Sequence, residues 1–215
     1  MRKLRLHCSV LIAALALVAL APSAAQASRF TVAEYPTMVK GTQITELFAE
    51  NYFELFGGAK VSCKVGNYQG ALSEASSTLS LSLDYTGCET SFGTEATIDT
   101  NGCSYLLHTG AEFTSDNFGG SADLVCPGGK EMTLTMGLCT VHIAPYVSDP
   151  GVSFRDLTPF PGEVNAEFDT HPLVNVTNVF LCPAKAGVQF ATFKSFVRLK
   201  FYKSSGFGQL GALID

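Results

Sequence analysis

Apolar and polar residues alternate with a period of two in four segments of this chain: 60–65, 78–85, 131–138 and 197–202. Such alternation is typical of β-strands with one buried face. Beyond residue 27 no segment shows a convincing helical period. The best candidate, 45–52, can equally be a bent strand. We therefore predict an all-β fold, either an antiparallel β-sandwich or two packed antiparallel sheets, held by disulfides.

Glycine-rich turns punctuate the predicted strands. Gly57-Gly58 and Asn101-Gly102 each lie between two apolar runs, the spacing that predicts tight β-hairpins. The segment 149–162 holds three prolines and two glycines with little alternation, which predicts a long loop or linker. It is a possible sub-boundary within one β-rich domain spanning 28–215, and residues 163–215 are then a candidate separate module.

Residues 1–27 have the features of a secretory signal peptide. Arg2, Lys3 and Arg5 precede a short apolar run, and small residues lead to an Ala-x-Ala site before Ser28. The run is too short to span a ~30 Å hydrocarbon layer. We expect a secreted protein, possible association with the cell envelope, and no membrane span after processing.

Cleavage before Ser28 leaves an even number of cysteines. They are Cys63, Cys88, Cys103, Cys126, Cys139 and Cys182, and in an exported chain they predict three disulfides. Cys63 and Cys88 lie symmetrically about one predicted turn, and Cys103 and Cys126 about another. If 130–138 is one extended strand, Cys126 and Cys139 lie roughly 25–30 Å apart, too far to bond.

The favoured pairing is therefore Cys63–Cys88, Cys103–Cys126 and, by elimination, Cys139–Cys182, although sequence alone leaves other connectivities open. The pairing of Cys63 with Cys88 does not fit a simple odd–even alternation of the two strands. Cys63 falls in phase with Val61 and Val65, whereas Cys88 falls out of phase with Leu79–Tyr85. The pairing therefore requires a bulge near Gly66 or a break at Thr86-Gly87.

The charge balance argues against nucleic acid as a partner. Removing Arg2, Lys3 and Arg5 from 14 basic residues leaves 11 against 19 acidic ones, a net charge of −8 for 28–215. An acidic surface repels phosphate backbones. Four basic residues gather near the C-terminus: Lys194, Arg198, Lys200 and Lys203. These residues could form a patch that binds acidic polymers. We favour the other interpretation, an edge strand whose charges discourage pairing with another strand.

Catalytic and metal-binding motifs are not evident in the sequence. His108 and His142 follow Cys103 and Cys139 at spacings that do not match zinc sites, and nothing nearby assigns a role to His171. Ser121 and Ser153 lack the context of a nucleophile. We expect no cofactor and no metal. Sugar binding is weakened because the chain has no Trp. Six tyrosines can substitute, although alternation places Tyr85 with the core leucines: Tyr52, Tyr68, Tyr85, Tyr105, Tyr146 and Tyr202.

Four short segments carry a resemblance to known proteins: Tyr-Thr-Gly-Cys at 85–88, Asp-Thr-Asn-Gly-Cys-Ser-Tyr at 99–105, Val-Cys-Pro-Gly-Gly-Lys at 125–130 and Cys-Thr at 139–140. Over residues 35–145 the chain resembles a group of uncharacterised secreted bacterial proteins built from Thr- and Ser-rich strands with paired cysteines. The resemblance implies export and a β-rich, disulfide-bonded fold, and it implies no activity.

We expect a non-catalytic extracellular or envelope-associated β-domain that binds an unidentified extracellular or cell-envelope ligand or serves a structural role. The alternative is a secreted hydrolase whose catalytic groups come from separate loops, such as an aspartate or histidine near 149–162. A Ser-His-Asp contact or a carboxylate pair in a cleft would favour that alternative.

Overall fold

The computed structural model describes residues 28–44, 51–157, 162–177, 182, 184–205 and 208–215. The predicted signal peptide and most of the candidate helix 45–52 lie outside these ranges. Within them the chain is nearly all β, with antiparallel strands packed together, so the predicted fold class is confirmed.

Fifteen strands and one short 3-10 turn at Pro127–Gly129 occur in the described part of the chain. The strands are β1 (Phe30–Val32), β2 (Thr37–Gln43), β3 (Tyr52–Leu55), β4 (Lys60–Leu72), β5 (Thr78–Thr90), β6 (Glu95–Asp99), β7 (Ser104–Thr114), β8 (Asn117–Val125), β9 (Met132–Met136), β10 (Cys139–Ile143), β11 (Tyr146–Asp156), β12 (Glu163–Thr170), β13 (Leu173–Thr177), β14 (Gly187–Lys203) and β15 (Ala212–Ile214).

Strand pairing closes on itself twice. The first circuit runs β12, β11, β8, β7, β5, β4, β2, β14 and returns to β12. The second runs β5, β6, β9, β10, β13, β14, β3, β4 and returns to β5. The long strands β4, β5 and β14 belong to both circuits. Every strand in a circuit has a neighbour on each side, so among the described strands only β1 and β15, which form a separate two-stranded ribbon, have an unpaired edge.

Side chains from opposite walls of the first circuit meet in its interior. The rings of Tyr105 in β7, Phe168 in β12 and Phe193 in β14 contact one another with centroids 5.5–6.0 Å apart. Leu81, Leu107 and Leu199 are fully buried among them. Burial of this apolar surface is the main source of stability for the fold.

Strands β4 and β5 both change their buried face where they pass from one circuit to the other. In β5, odd residues are buried up to Tyr85 and even residues from Cys88 onward. The change takes place at Thr86-Gly87, where Gly87 adopts a φ of 63°. The predicted break is therefore present, and Cys63 lies directly opposite Cys88.

All three favoured disulfides are present: Cys63–Cys88, Cys103–Cys126 and Cys139–Cys182. The third connects β10 to the segment between β13 and β14. The predicted strand 131–138 is shorter in the structure, because β9 ends at Met136 and a turn at Gly137 reverses the chain into β10.

Three local expectations are wrong. Asn101-Gly102 forms a tight turn, in which the Cys103 N–H donates to the Thr100 carbonyl at 2.8 Å, but the turn does not join a hairpin. The flanking strands β6 and β7 both pair with the same side of β5. β6 and β7 therefore lie one after the other along β5 and do not pair with each other. They diverge where β6 also pairs with β9.

The second error concerns the first half of 149–162, since residues 158–161 lie outside the described ranges. Residues up to Asp156 belong to β11, which pairs with β8 and β12 and absorbs Pro150 and Gly151 in register shifts. The third concerns the charged edge strand. β14 carries the basic cluster, yet it pairs with β12 on one side and β2 on the other. Its charges therefore do not protect a free edge.

A two-stranded ribbon joins the two ends of the described chain. Phe30 in β1 pairs with Ile214 in β15, and both side chains are buried. The Phe30 ring packs edge-on against Phe154 of β11 with centroids 5.4 Å apart. The ribbon thus packs against the first circuit.

Candidate functional site

A cleft of about 590 Å³ opens beside the first half of β11. One side is formed by Tyr146–Gly151, and the other by the connection from β12 to β13 together with Phe190 of β14. The two sides approach closely at Gly151. A Cβ atom at that position would lie 1.8 Å from the carbonyl oxygen of Asp169, so only glycine fits there.

The walls of the cleft are unusually apolar for a solvated surface. Val147, Leu173 and Phe190 are 79%, 48% and 70% exposed, and Leu173 lies opposite Phe190 in the ladder between β13 and β14. Pro150 and Pro172 complete this apolar lining. Grouped exposed apolar side chains of this kind mark binding sites more often than singly scattered ones do.

Asp149 holds the two sides of the cleft together. Its Oδ2 accepts a hydrogen bond from the backbone N–H of His171 at 2.8 Å, and its Oδ1 accepts one from the N–H of Gly151 at 3.2 Å. The cleft therefore has a fixed width before any ligand enters. Preorganisation of this kind lowers the entropy lost on binding.

Asp169 supplies a second carboxylate, so the cleft holds a carboxylate pair, the feature named above as favouring the hydrolase alternative. Both oxygens of Asp149 already accept backbone N–H groups, and Asp169 lies beside Lys194 and His171. The Asp169 Oδ2 atom lies 3.3 Å from Lys194 Nζ, while its Oδ1 lies 3.9 Å from His171 Nε2. Oδ1 is shielded from solvent but accepts no hydrogen bond among the described residues. Because Oδ1 is shielded from solvent, it does not face the open space of the cleft, and a ligand there can approach only the exposed part of the Asp169 side chain.

Tyr146 lies between the cleft and the tyrosines of the core. Its hydroxyl is buried and makes no hydrogen bond among the described residues. The Tyr85 hydroxyl lies 3.2 Å from that of Tyr68. Burial raises the pKa of Tyr146 to about 12, so this group stays protonated and can donate a hydrogen bond but cannot act as a base at neutral pH.

The three histidines of the described chain lie on separate elements, each beside a carboxylate. His108 Nε2 is 3.0 Å from Asp123 Oδ2, and His142 Nδ1 is 3.4 Å from Glu131 Oε2. His171 lies at the cleft. Because Cys103 and Cys139 are in disulfides, they are not free to act as thiolate ligands beside His108 and His142.

One serine, histidine and aspartate share a sheet face, which bears on the hydrolase alternative. Ser121 lies opposite His108, and Asp123 lies two residues further along β8. Within the described chain no hydrogen bond joins Ser121 to His108, and none of the three lines the cleft. Instead Asp123 Oδ1 accepts the N–H of Ser148 at 2.7 Å, so the aspartate fixes the bulged start of β11.

The tyrosines considered for sugar stacking have other surroundings. Tyr68, Tyr85 and Tyr105 are buried in the core. Tyr52 and Tyr202 each have a lysine ammonium over the ring, Lys60 at 4.0 Å and Lys40 at 5.5 Å from the centroid. The structure therefore offers no flat cluster of open tyrosine rings in its described part.

The basic cluster of β14 is matched by carboxylates. Lys200 and Arg198 approach Glu163 at 2.8 and 3.5 Å, and Lys203 approaches Glu34 at 2.8 Å. These pairings reduce the attraction that the cluster would exert on acidic polymers.

No family model, curated protein or solved structure matches the chain. Function therefore has to be inferred from the geometry alone. The search for a membrane-crossing helix, made over the described ranges, finds none of sufficient length and apolar character.

Sequence reasoning pointed only to an aspartate or histidine near 149–162 and assigned His171 no role. It missed Val147, Asp169, Leu173 and Phe190. A signal was available in β14. Val188 and Phe190 are even-numbered, whereas the buried residues Ala191, Phe193 and Val197 are odd-numbered. Apolar residues out of phase with the core of their own strand are candidates for an exposed binding surface.

Proposed function

We propose that the protein is a secreted, non-catalytic β-domain that binds an extracellular or cell-envelope ligand in the cleft beside β11. The observation that carries the proposal is the juxtaposition of Val147, Leu173 and Phe190 around a preformed cavity with a polar floor. A volume of about 590 Å³ lies within the usual range of small-molecule sites.

Two features support export. Three disulfides suit an oxidising compartment, since cytosolic reductants remove most structural disulfides. The residues that follow the proposed cleavage site also belong to the fold, because the Thr109 hydroxyl donates to the Ser28 carbonyl and the Arg29 N–H donates to the Asp215 carbonyl.

A fragment screen by thermal shift tests the binding proposal. Fragments that raise the melting temperature of the wild-type protein are expected to lose that effect in Phe190→Ser. Phe92→Ser is the matched control, because Phe92 is 69% exposed but lies on the turn between β5 and β6. Fragments that stabilise all three proteins equally would place binding elsewhere.

Export is tested separately in a bacterial host that secretes through the same type of signal. The expected product begins at Ser28 and carries no free thiol on non-reducing peptide mapping. Retention of residues 1–27, or free thiols in the exported product, would contradict the export proposal.

A further inference from the structure

We propose that the ligand of the cleft is an organic cation with an apolar body, such as an aromatic or alkyl amine or guanidine. This inference rests on the proposed function and adds the chemical class of the ligand. It follows from two features of the cleft: its apolar walls and the sign of its charges.

The walls select the apolar body. Phe190 and Leu173 form a cross-strand pair on one side, and Val147 faces the same cavity from the other. Each is largely exposed in the free protein, so an apolar group that fills the space removes apolar surface from water on both partners. The Phe190 ring can also receive a cation against its face.

The charges select a cation. Asp149 and Asp169 line the cleft, and its lining residues include no Lys or Arg. Lys194 lies 3.3 Å from Asp169 Oδ2, and His171 Nε2 lies 3.9 Å from Oδ1, so both offset part of the charge of Asp169. Among the described residues no ion pair is made to Asp149, so its charge is not offset in this way. The net charge of −8 over 28–215 adds a longer-range preference for positive ligands.

The Asp169 carboxylate selects a charged hydrogen-bond donor. Its side chain is 48% exposed, so a cation in the cleft can approach the open part of this side chain, whereas the Oδ1 atom is shielded from solvent. An ammonium or guanidinium brings both the donor and the compensating charge, and such charge-assisted bonds are the stronger kind. A neutral apolar ligand can use the walls but gains no such pairing, and a carboxylate ligand is repelled by both aspartates.

Titrations followed by amide chemical shifts in ¹⁵N-labelled protein test the inference with three probes of one shape: benzylammonium, benzyl alcohol and benzoate. The shifts of Val147, Gly151 and Leu173 report the cleft. Benzylammonium is expected to bind at least about fivefold more tightly than benzyl alcohol, the usual scale for one partly exposed ion pair. Benzoate is expected to bind most weakly.

Asp169→Asn keeps the shape of the side chain and removes its charge. In this variant the affinity for benzylammonium is expected to fall to that for benzyl alcohol, and the affinity for benzyl alcohol is expected to stay as in the wild type. Phe190→Ser, at an exposed position that folding does not require, is expected to weaken all three probes. Phe92→Ser is expected to change none. Melting curves of each variant verify that it is folded.

Each outcome has a distinct meaning. Equal affinities, or a preference for the alcohol or the carboxylate, would overturn the cationic class while leaving the binding cleft intact. A cation preference that survives in Asp169→Asn would overturn the role given to Asp169. The absence of shifts at the cleft with every probe would overturn the proposed function together with this inference.

Discussion

The backbone N–H of Ile214 donates to both carboxylate oxygens of Asp156, at 3.1 and 3.3 Å. This contact joins the end of β11 to β15, and Asp156 is only 5% exposed. Burial raises the pKa of Asp156 to about 6; the Ile214 N–H opposes the rise, and the carboxylates of Asp116 and Asp215 add to it. The ribbon of β1 and β15 is therefore coupled to the protonation of one buried group.

The pH dependence of this group can be stated with its sign. The pKa of Asp156 is about 6 in the folded protein against a usual 3.8, so the folded state holds the proton more tightly. The associated stability is complete below pH 3.8 and is lost as the pH rises through 6. It amounts to at most about 3 kcal/mol.

Asp156→Asn is expected to raise the free energy of unfolding at pH 8 and to flatten its dependence on pH between 4 and 7. Urea denaturation at a series of pH values measures both effects. Asp84→Asn is the control, because Asp84 is exposed on β5. A variant that is less stable than wild type at pH 8 would show that the ionised carboxylate is favourable in its site.

Asp123 is expected to show the opposite pH dependence. Its pKa is lowered, because the hydrogen bonds from the Ser148 N–H and from His108 together outweigh the effect of burial. Its contribution is present above the ordinary pKa of a free aspartate and is lost as the pH falls through the lower folded value. Asp123→Asn should therefore destabilise the protein by about 1 kcal/mol at neutral pH.

The same denaturation series measures this effect, and the difference between Asp123→Asn and wild type should shrink toward low pH. A constant difference across the acid range would mean that the variant acts through packing. In that case the effect of the variant would not come from the loss of the Asp123 charge, which accepts the Ser148 N–H at the start of β11.

Gly151→Ala is expected to damage the cleft. The new Cβ would lie 1.8 Å from the Asp169 carbonyl oxygen, so β11 and the end of β12 must move apart. Overpacking of this kind destabilises by about 1–3 kcal/mol. Gly211→Ala is the control because its Cβ would meet open space. Thermal melts measure stability, and unchanged melting in Gly151→Ala would show that the close approach is not constraining.

The Cys139–Cys182 disulfide is expected to be a major source of stability. It closes a loop with a sequence separation of 43 residues, for which chain entropy predicts about 4 kcal/mol. The Cys139→Ser/Cys182→Ser double variant should lower the free energy of unfolding by that order in urea. An unchanged midpoint would show that the strands around β10 and β13 need no cross-link.

The local sequence pattern predicts where the strands lie better than it predicts which strands pair with each other. Alternation located β5 and the later part of β14 because the predicted segment of each strand buries one face. It also located β4, although of the apolar face predicted there only Val61 is fully buried. Asn101-Gly102 shows the limit. Its residues determine a tight turn, but whether the flanking strands pair with each other depends on β5 and β9, which lie elsewhere in sequence.

The cleft was largely hidden from sequence reasoning for the same reason. Proline and glycine at 150 and 151 predict a loop, yet pairing with β8 at Asp149 and Val152, and with β12 from Val152 onward, keeps this segment in a bulged strand. The cleft arises where that bulge faces the connection from β12 to β13. Its walls come from three elements whose proximity depends on the closure of β12 against β14.

The position of a bound probe tests the central claim most directly. A second cavity of about 570 Å³, lined in part by Lys64, Thr86 and Gly93, has nearly the same volume and serves as an internal comparison. In crystals soaked with benzylammonium chloride, we predict electron density between Val147, Leu173 and Phe190, with the nitrogen toward Asp169. Density in the second cavity with none beside β11 would contradict the account.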